Sequence, residues 1–140
     1  MSLSGVRQYF VNRMKVAGYV EHFDPFDADN VPNTILHKTF FINVGSFEGV
    51  KLNQRDQEMR CPIAVRIFLK GYQNVAAAID AGLEESEKLC QDILKASNRL
   101  GNPVKNVTLN RIVPEAFSVT NSSIVIVTME FTSFVTFNTD

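Results

Sequence analysis

Cysteine, charge of one sign and long apolar runs are all scarce in this chain. The two cysteines among 140 residues, Cys61 and Cys90, have no CxxC spacing and sit among apolar neighbours. That excludes a disulfide framework and points to buried thiols in a reducing compartment. A net charge of −1 and a pI near 6.1 give the whole surface no attraction for nucleic acid, whose binders concentrate a basic excess. No apolar run approaches the roughly 20 residues of a membrane span. The opening MSLSGVRQYF has no secretory apolar segment, so the chain is expected to be made and used in cytoplasm with no membrane partner. On that basis the NVT at Asn106 and the NSS at Asn121 are chance matches to a glycosylation signal.

Reactive groups are equally thin. His22 and His37 lie far apart and have no Cys or His at ligand spacing. Asp24, Asp27 and Asp29 invite a calcium loop, but the sixth and twelfth places counted from Asp27 hold Pro32 and Lys38 instead of glycine and an acid. No GxSxG or glycine-rich phosphate loop occurs, and the glycines of NVGSFEG open no helix. The expectation is therefore no catalytic residue, no metal and no cofactor: not an enzyme.

What is present is ordinary globular material, 45% hydrophobic and 21% charged, enough for one domain over residues 1–140 that folds without staples. Leu3, Val6, Phe10, Met14 and Ala17 step by three or four and predict a first helix, with Ser2 or Ser4 as N-cap and Gly18 near its end. A polar tether, Asp24 to Asn33, separates it from a strand in TILHKTFFINV that aligns Leu36, Phe40, Ile42 and Val44, with Lys38 breaking the alternation. PIAVRIFLKGY alternates cleanly, with Ile63, Val65, Ile67 and Leu69 to one side and Arg66 and Lys70 to the other. A second helix from Asn74 carries Ile79, Leu83, Ser86, Cys90 and Ile93 inward, widened by Leu89 and Leu94. Its outer face pairs Glu84 with Lys88 and Asp92 with Lys95, and GNP at 101–103 stops it. VTLNRIV, then AFSVT after Pro114, then SSIVIVTMEFTSFVTF return to strands, the last aligning Val125, Val127, Met129 and Phe131. The fold class is α+β: a mainly antiparallel sheet with two helices packed on one face, in the order α-β-β-α-β-β, with room for one extra short strand.

The order of elements, with FDPFDADNVPNT before LHKTFFI, a long loop, VRIFLKGY, an Ala- and Glu-rich helix and a closing strand pair, resembles the tail terminator (tail completion) proteins of long-tailed bacteriophages along nearly the whole chain. The resemblance implies a structural virion protein. It would form a ring, a hexamer in that family, on the head-proximal end of the tail tube, end tube polymerisation and offer the surface for head joining. Its partners would be further copies of itself, the tail tube protein and a head completion or neck protein, with DNA passing through the lumen without specific binding. The tether would let helix one lie across its own sheet or a neighbouring subunit; a plain connecting loop is the alternative. Another head-to-tail connector, or a small ligand-binding α+β domain with a pocket, are the competing functions.

Gly45 to Glu58 is far longer than the usual hairpin loop. Apolar Phe47, Val50 and Leu52 among Glu48, Lys51, Arg55, Asp56 and Glu58 fit a protruding arm, with Phe47 and Leu52 as anchors and Arg55 and Asp56 setting register. The alternative is a twisted hairpin extension lying back on its own sheet. Arg66, Lys70 and Arg111 either line a DNA channel or belong to a solvated sheet face and its ion pairs, the second being preferred.

Overall fold

The structure is a computed structural model that describes residues 3–27, 34–51, 56–97 and 105–138. Helix α1 runs Leu3–Val16, and its stripe of Val6, Phe10 and Met14 is buried together with Val11. Ala17, expected on that stripe, is exposed, because the helix has already ended. Gly18 takes φ 93, Gly18 N–H donates to the Lys15 carbonyl (3.0 Å) and Tyr19 N–H to the Met14 carbonyl (3.1 Å). This is a Schellman stop, and it drops Tyr19 onto Met14 in the core. Ser4 stands inside the helix, and Ser2 lies outside the described residues.

Two-residue strand β1, Val20–Glu21, was not foreseen; it pairs parallel with β2, Thr39–Val44. Strand β3, Glu48–Lys51, pairs antiparallel with the start of β4, Asp56–Tyr72. Helix α2, Val75–Ser97, leads to β5, Lys105–Val119, and β6, Ser122–Asn138. The six-stranded sheet has the order β1-β2-β4-β6-β5, with β3 beside β4 below β2, and every pairing except β1 with β2 is antiparallel. The fold class is therefore the α+β one expected, with both helices on one face.

Period-two burial works as read in the two central strands. Ile63, Val65, Ile67 and Leu69 of β4 meet Val125, Val127, Met129 and Phe131 of β6, all essentially buried beneath the helices. The ends of the elements depart from expectation. Leu36 is exposed and Ile35 buried, because Lys38 turns the chain at φ 60 before β2 begins. Lys38 is held there by its amide to the Phe68 carbonyl (3.0 Å) and by Nζ at 3.3 Å from Glu85 Oε1. β5 passes straight through Pro114, where a break was expected; β5 is an edge strand, so its outer side needs no ladder N–H. Asn106 and Asn121 are both left-handed, at a register shift and in the β5–β6 turn, so conformation accounts for these asparagines.

Helix α2 is capped as expected, Ala77 N–H donating to Asn74 Oδ1 (2.7 Å), and the Glu84–Lys88 pair forms. Its buried face is the one read in the sequence at Ser86, Leu89, Cys90 and Ile93 and departs from it at Ile79 and Leu83. Ala78, Gly82, Ser86, Leu89, Cys90 and Ile93 face in, whereas Leu83 is 43% exposed and Ile79 half-buried. Small residues set this face. A Cβ on Gly82 would lie 2.8 Å from Val127 Cγ2 and 3.1 Å from Val125, so the helix rests directly on β6. Ser86 Oγ donates to the Gly82 carbonyl (2.6 Å), which satisfies the one hydroxyl buried in that contact. Asp92, expected to pair with Lys95, takes both prongs of Arg13 (2.6 and 3.0 Å), and Tyr9 Oη donates to the Ile93 carbonyl (2.6 Å), which locks α1 to α2. The GNP stop lies outside the described residues.

Both cysteines are buried and free, as read. Burial pushes the Cys90 thiol up to about 11 and raises that of Cys61. Neither should titrate with an aromatic disulfide reagent at pH 8 until the fold is opened by denaturant; rapid modification of native protein would contradict this burial.

Candidate functional site

The sheet has two unlike faces. Helices cover one. On the other, a second small core of Phe26, Ile35, Phe68, Ile124 and Ile126 covers one end only, with Phe41 and Phe117 at its margin. The tether thus does more than end a helix: after β1 the chain rounds the sheet edge and Phe26 plugs the far face, its carbonyl accepting from Arg66 Nη1 (3.1 Å). Residues 28–33, with Asp29 and Pro32, lie outside the described residues.

Among the described residues, the rest of that face is left uncovered and is built from strands alone. Alternation and register put Asn43, Pro62, Ala64, Thr128, Glu130, Thr132, Arg60 and Phe134 on it. Asn43, Gly45, Pro62, Ala64, Asn110 and Glu130 line an open groove of about 280 Å³. Its charges are matched in place: Arg111 pairs with Glu130, Arg60 lies 3.9 Å from Glu48 and over the Phe134 ring at 5.9 Å, and Asn110 Nδ2 donates to Thr132 Oγ1 (2.7 Å). Arg66 is committed to the Phe26 carbonyl and Arg111 to Glu130, so both serve the sheet's own bonding.

Half of the segment read as a loop from Gly45 to Glu58 is paired strand, Glu48–Lys51 and the start of β4 from Asp56. Val44 faces Ile63 and Glu48 faces Arg60, so three residues, Gly45 to Phe47, oppose two, Cys61 and Pro62. This is a bulge in one continuous hairpin, with Gly45 N–H donating to the Pro62 carbonyl (2.9 Å). Gly45 is required there, since a Cβ would come 2.7 Å from Pro62 Cγ. The 17 residues of β4 extend about 55 Å at roughly 3.3 Å each, against about 34 Å for the 23 residues of α2, so the sheet outruns its helices.

Within this hairpin Phe47 packs inward, half-buried against the main core, and does not stand out as an anchor. Val50 lies in β3 opposite Glu58, and Asp56 opens β4 opposite Asn138. Leu52 and Arg55 lie outside the described residues. The structure therefore places Phe47, Val50 and Asp56 along one ribbon. A β-branched and charged run flanking Gly49 was the signal for a strand there, masked by the missing residue-for-residue alternation that a bulge produces.

The two histidines serve packing. His37 Nδ1 accepts the Lys70 N–H (3.1 Å), with its pKa lowered by burial and by the nearby Lys38, and His22 leans on the Phe26 ring (5.9 Å). Among the described residues no three His, Cys, Asp or Glu side chains gather as a metal site would need, and no described helix is long and apolar enough to cross a membrane. No protein-family model and no curated protein matches the chain.

Proposed function

We propose that the chain is a structural assembly protein that forms a ring on the end of a phage tail tube, stops its growth and presents a surface for head joining. The observation that carries this reading is the open, strand-built face and its bulged hairpin, continuing past the helices as one long ribbon. Its exposed groups are matched ion pairs, threonines and asparagines, a pattern suited to broad contact. The partners would be further copies, the tube protein and a neck protein, with no cofactor and no chemistry of its own. Should the open face line the lumen, its matched charges would let DNA pass without holding it.

The direct test is to add purified protein to polymerising tail tube and measure tube lengths by electron microscopy. Capped, length-limited tubes are expected; unlimited growth at saturating protein removes the proposal. The hairpin can be tested separately. Because Phe47 packs against the core, the cut should spare it, replacing residues 51–57 with an Asn-Gly turn that keeps Val50 opposite Glu58. The shortened chain should melt within a few degrees of wild type, a shift of under about 1 kcal/mol, yet fail to cap. Intact capping would clear the hairpin tip of any role.

A further inference from the structure

Tyr19 brings an unmet hydroxyl into the main core. The residue is 4% exposed, and its buried Oη has no hydrogen-bond partner among the described residues. A hydroxyl left this way carries a penalty that a phenylalanine would not. The turn at Gly18 and the core packing fix the ring, so an acceptor has to come to it.

The group at hand is the Glu85 carboxylate of α2. Burial raises the Tyr19 pKa and Glu85 raises it further, and the same carboxylate acts on Tyr72 and His37. It is committed elsewhere, to Lys38, whose Nζ lies 3.3 Å from Glu85 Oε1 and 5.7 Å from the centre of the Tyr19 ring. The cation thus sits over the phenol while it holds the carboxylate. The two partners are unevenly buried, the Lys38 side chain 43% exposed and that of Glu85 22%. An ion pair so open to water contributes little, and the lysine can leave it for solvent. Glu85, the more buried of the two, would then be short of partners. Turned to Tyr19, the carboxylate would gain a charge-assisted bond and satisfy the hydroxyl, but it would give up Lys38 and more of its water. Each arrangement meets one need and leaves another, which keeps the two close in energy.

The geometry points to a two-position latch, in which Glu85 holds Lys38 at the turn into β2 in one arrangement and the Tyr19 hydroxyl in the other. The first ties α2 to the entry of β2. The second ties α2 to the segment that follows α1 and releases the Lys38 ammonium to solvent or to an anionic group of a partner. The bond from Lys38 N–H to the Phe68 carbonyl is common to both, so the turn itself survives the exchange. The latch does not depend on the ring reading.

The test is a cycle of thermal melts on the full chain: wild type, Tyr19→Phe, Lys38→Met and the two combined. Methionine keeps an apolar stem over the ring and removes the ammonium. In the wild-type background Tyr19→Phe should raise the melting midpoint by about 2–4 °C, because an unmet hydroxyl is removed. In the Lys38→Met background the same exchange should lower the midpoint, because the hydroxyl is by then the partner of Glu85. A change of one sign in both backgrounds overturns the latch, and so does a wild type that Tyr19→Phe destabilises. Lys38→Gln takes the place of Lys38→Met should that chain fail to fold. Carbon-13 NMR of the tyrosine rings reads the exchange directly. The Tyr19 Cζ signal, identified by its loss in Tyr19→Phe, should move when Lys38 is neutralised; a signal that stays in place also sinks the proposal.

Discussion

Ile93→Asp is expected to leave the protein unfolded or insoluble, while Leu83→Asp on the same helix should fold with near-native thermal stability. Ile93 is fully buried in the main core beneath α1, where its own carbonyl accepts the Tyr9 hydroxyl. Losing its side chain costs about 2–5 kcal/mol in packing, and an unpartnered carboxylate adds several more, or else must hold its proton. Together these approach the roughly 5–15 kcal/mol that stabilises a domain of this kind. Leu83 is 43% exposed on the outer side of the small-residue face, so an acid there stays in water. Circular dichroism melts of the pair decide the matter. Equal damage at both positions would mean that α2 sits with the face its larger apolar residues imply.

Gly82→Val should be the most damaging exchange on α2 that introduces no charge. The space beside Gly82 is occupied by Val127 and Val125, and the nearest atoms, at 2.8 and 3.1 Å, are branched methyls on a central strand that has no room to retreat. Even Gly82→Ala sets about 1 kcal/mol of gained helix propensity against an overpacking cost of about 1–3 kcal/mol. The alanine variant should lose stability slightly and the valine variant by several kcal/mol in urea titration. A stabilised alanine variant would show that α2 can lift from the sheet without loss.

The same residues explain what the sequence could tell. β4 and β6 were legible because each sets one unbroken apolar side against the helices, Ile63 to Leu69 and Val125 to Phe131, while Phe68 and Ile126 on the other side are buried by the second small core. α2 was legible as a helix and in its facing from Ser86 to Ile93, but not in its first turns. A hydrophobic stripe weighs Leu83 above Gly82, whereas close helix-on-sheet contact is decided by how near the backbones can come. β1 is too short to have a pattern, and it exists only because the Schellman turn at Gly18 aims the chain along β2. The hairpin arm was visible as unusual length and apolar content, but three residues opposing two moved Phe47 out of phase and turned it inward. The open face left no mark, since nothing local says which side of a sheet the tether will cover.

The placement of β6 has a kinetic consequence. It lies between β4 and β5, and its ladder with β4 joins Asp56 to Asn138 at one end and Tyr72 to Ser123 at the other. During synthesis β4 and α2 leave the ribosome before the strand that joins them in the sheet exists, and β5 emerges with α2 beside it but no strand to pair with. Closing contacts at such sequence separation is slow relative to local helix formation. Until β6 arrives, the apolar side of β4 and the valine-facing side of α2 are open to other chains. A nascent chain stalled before Ser122 should therefore depend on holdase chaperones and be cut readily by protease, and should become resistant only once β6 is free to insert.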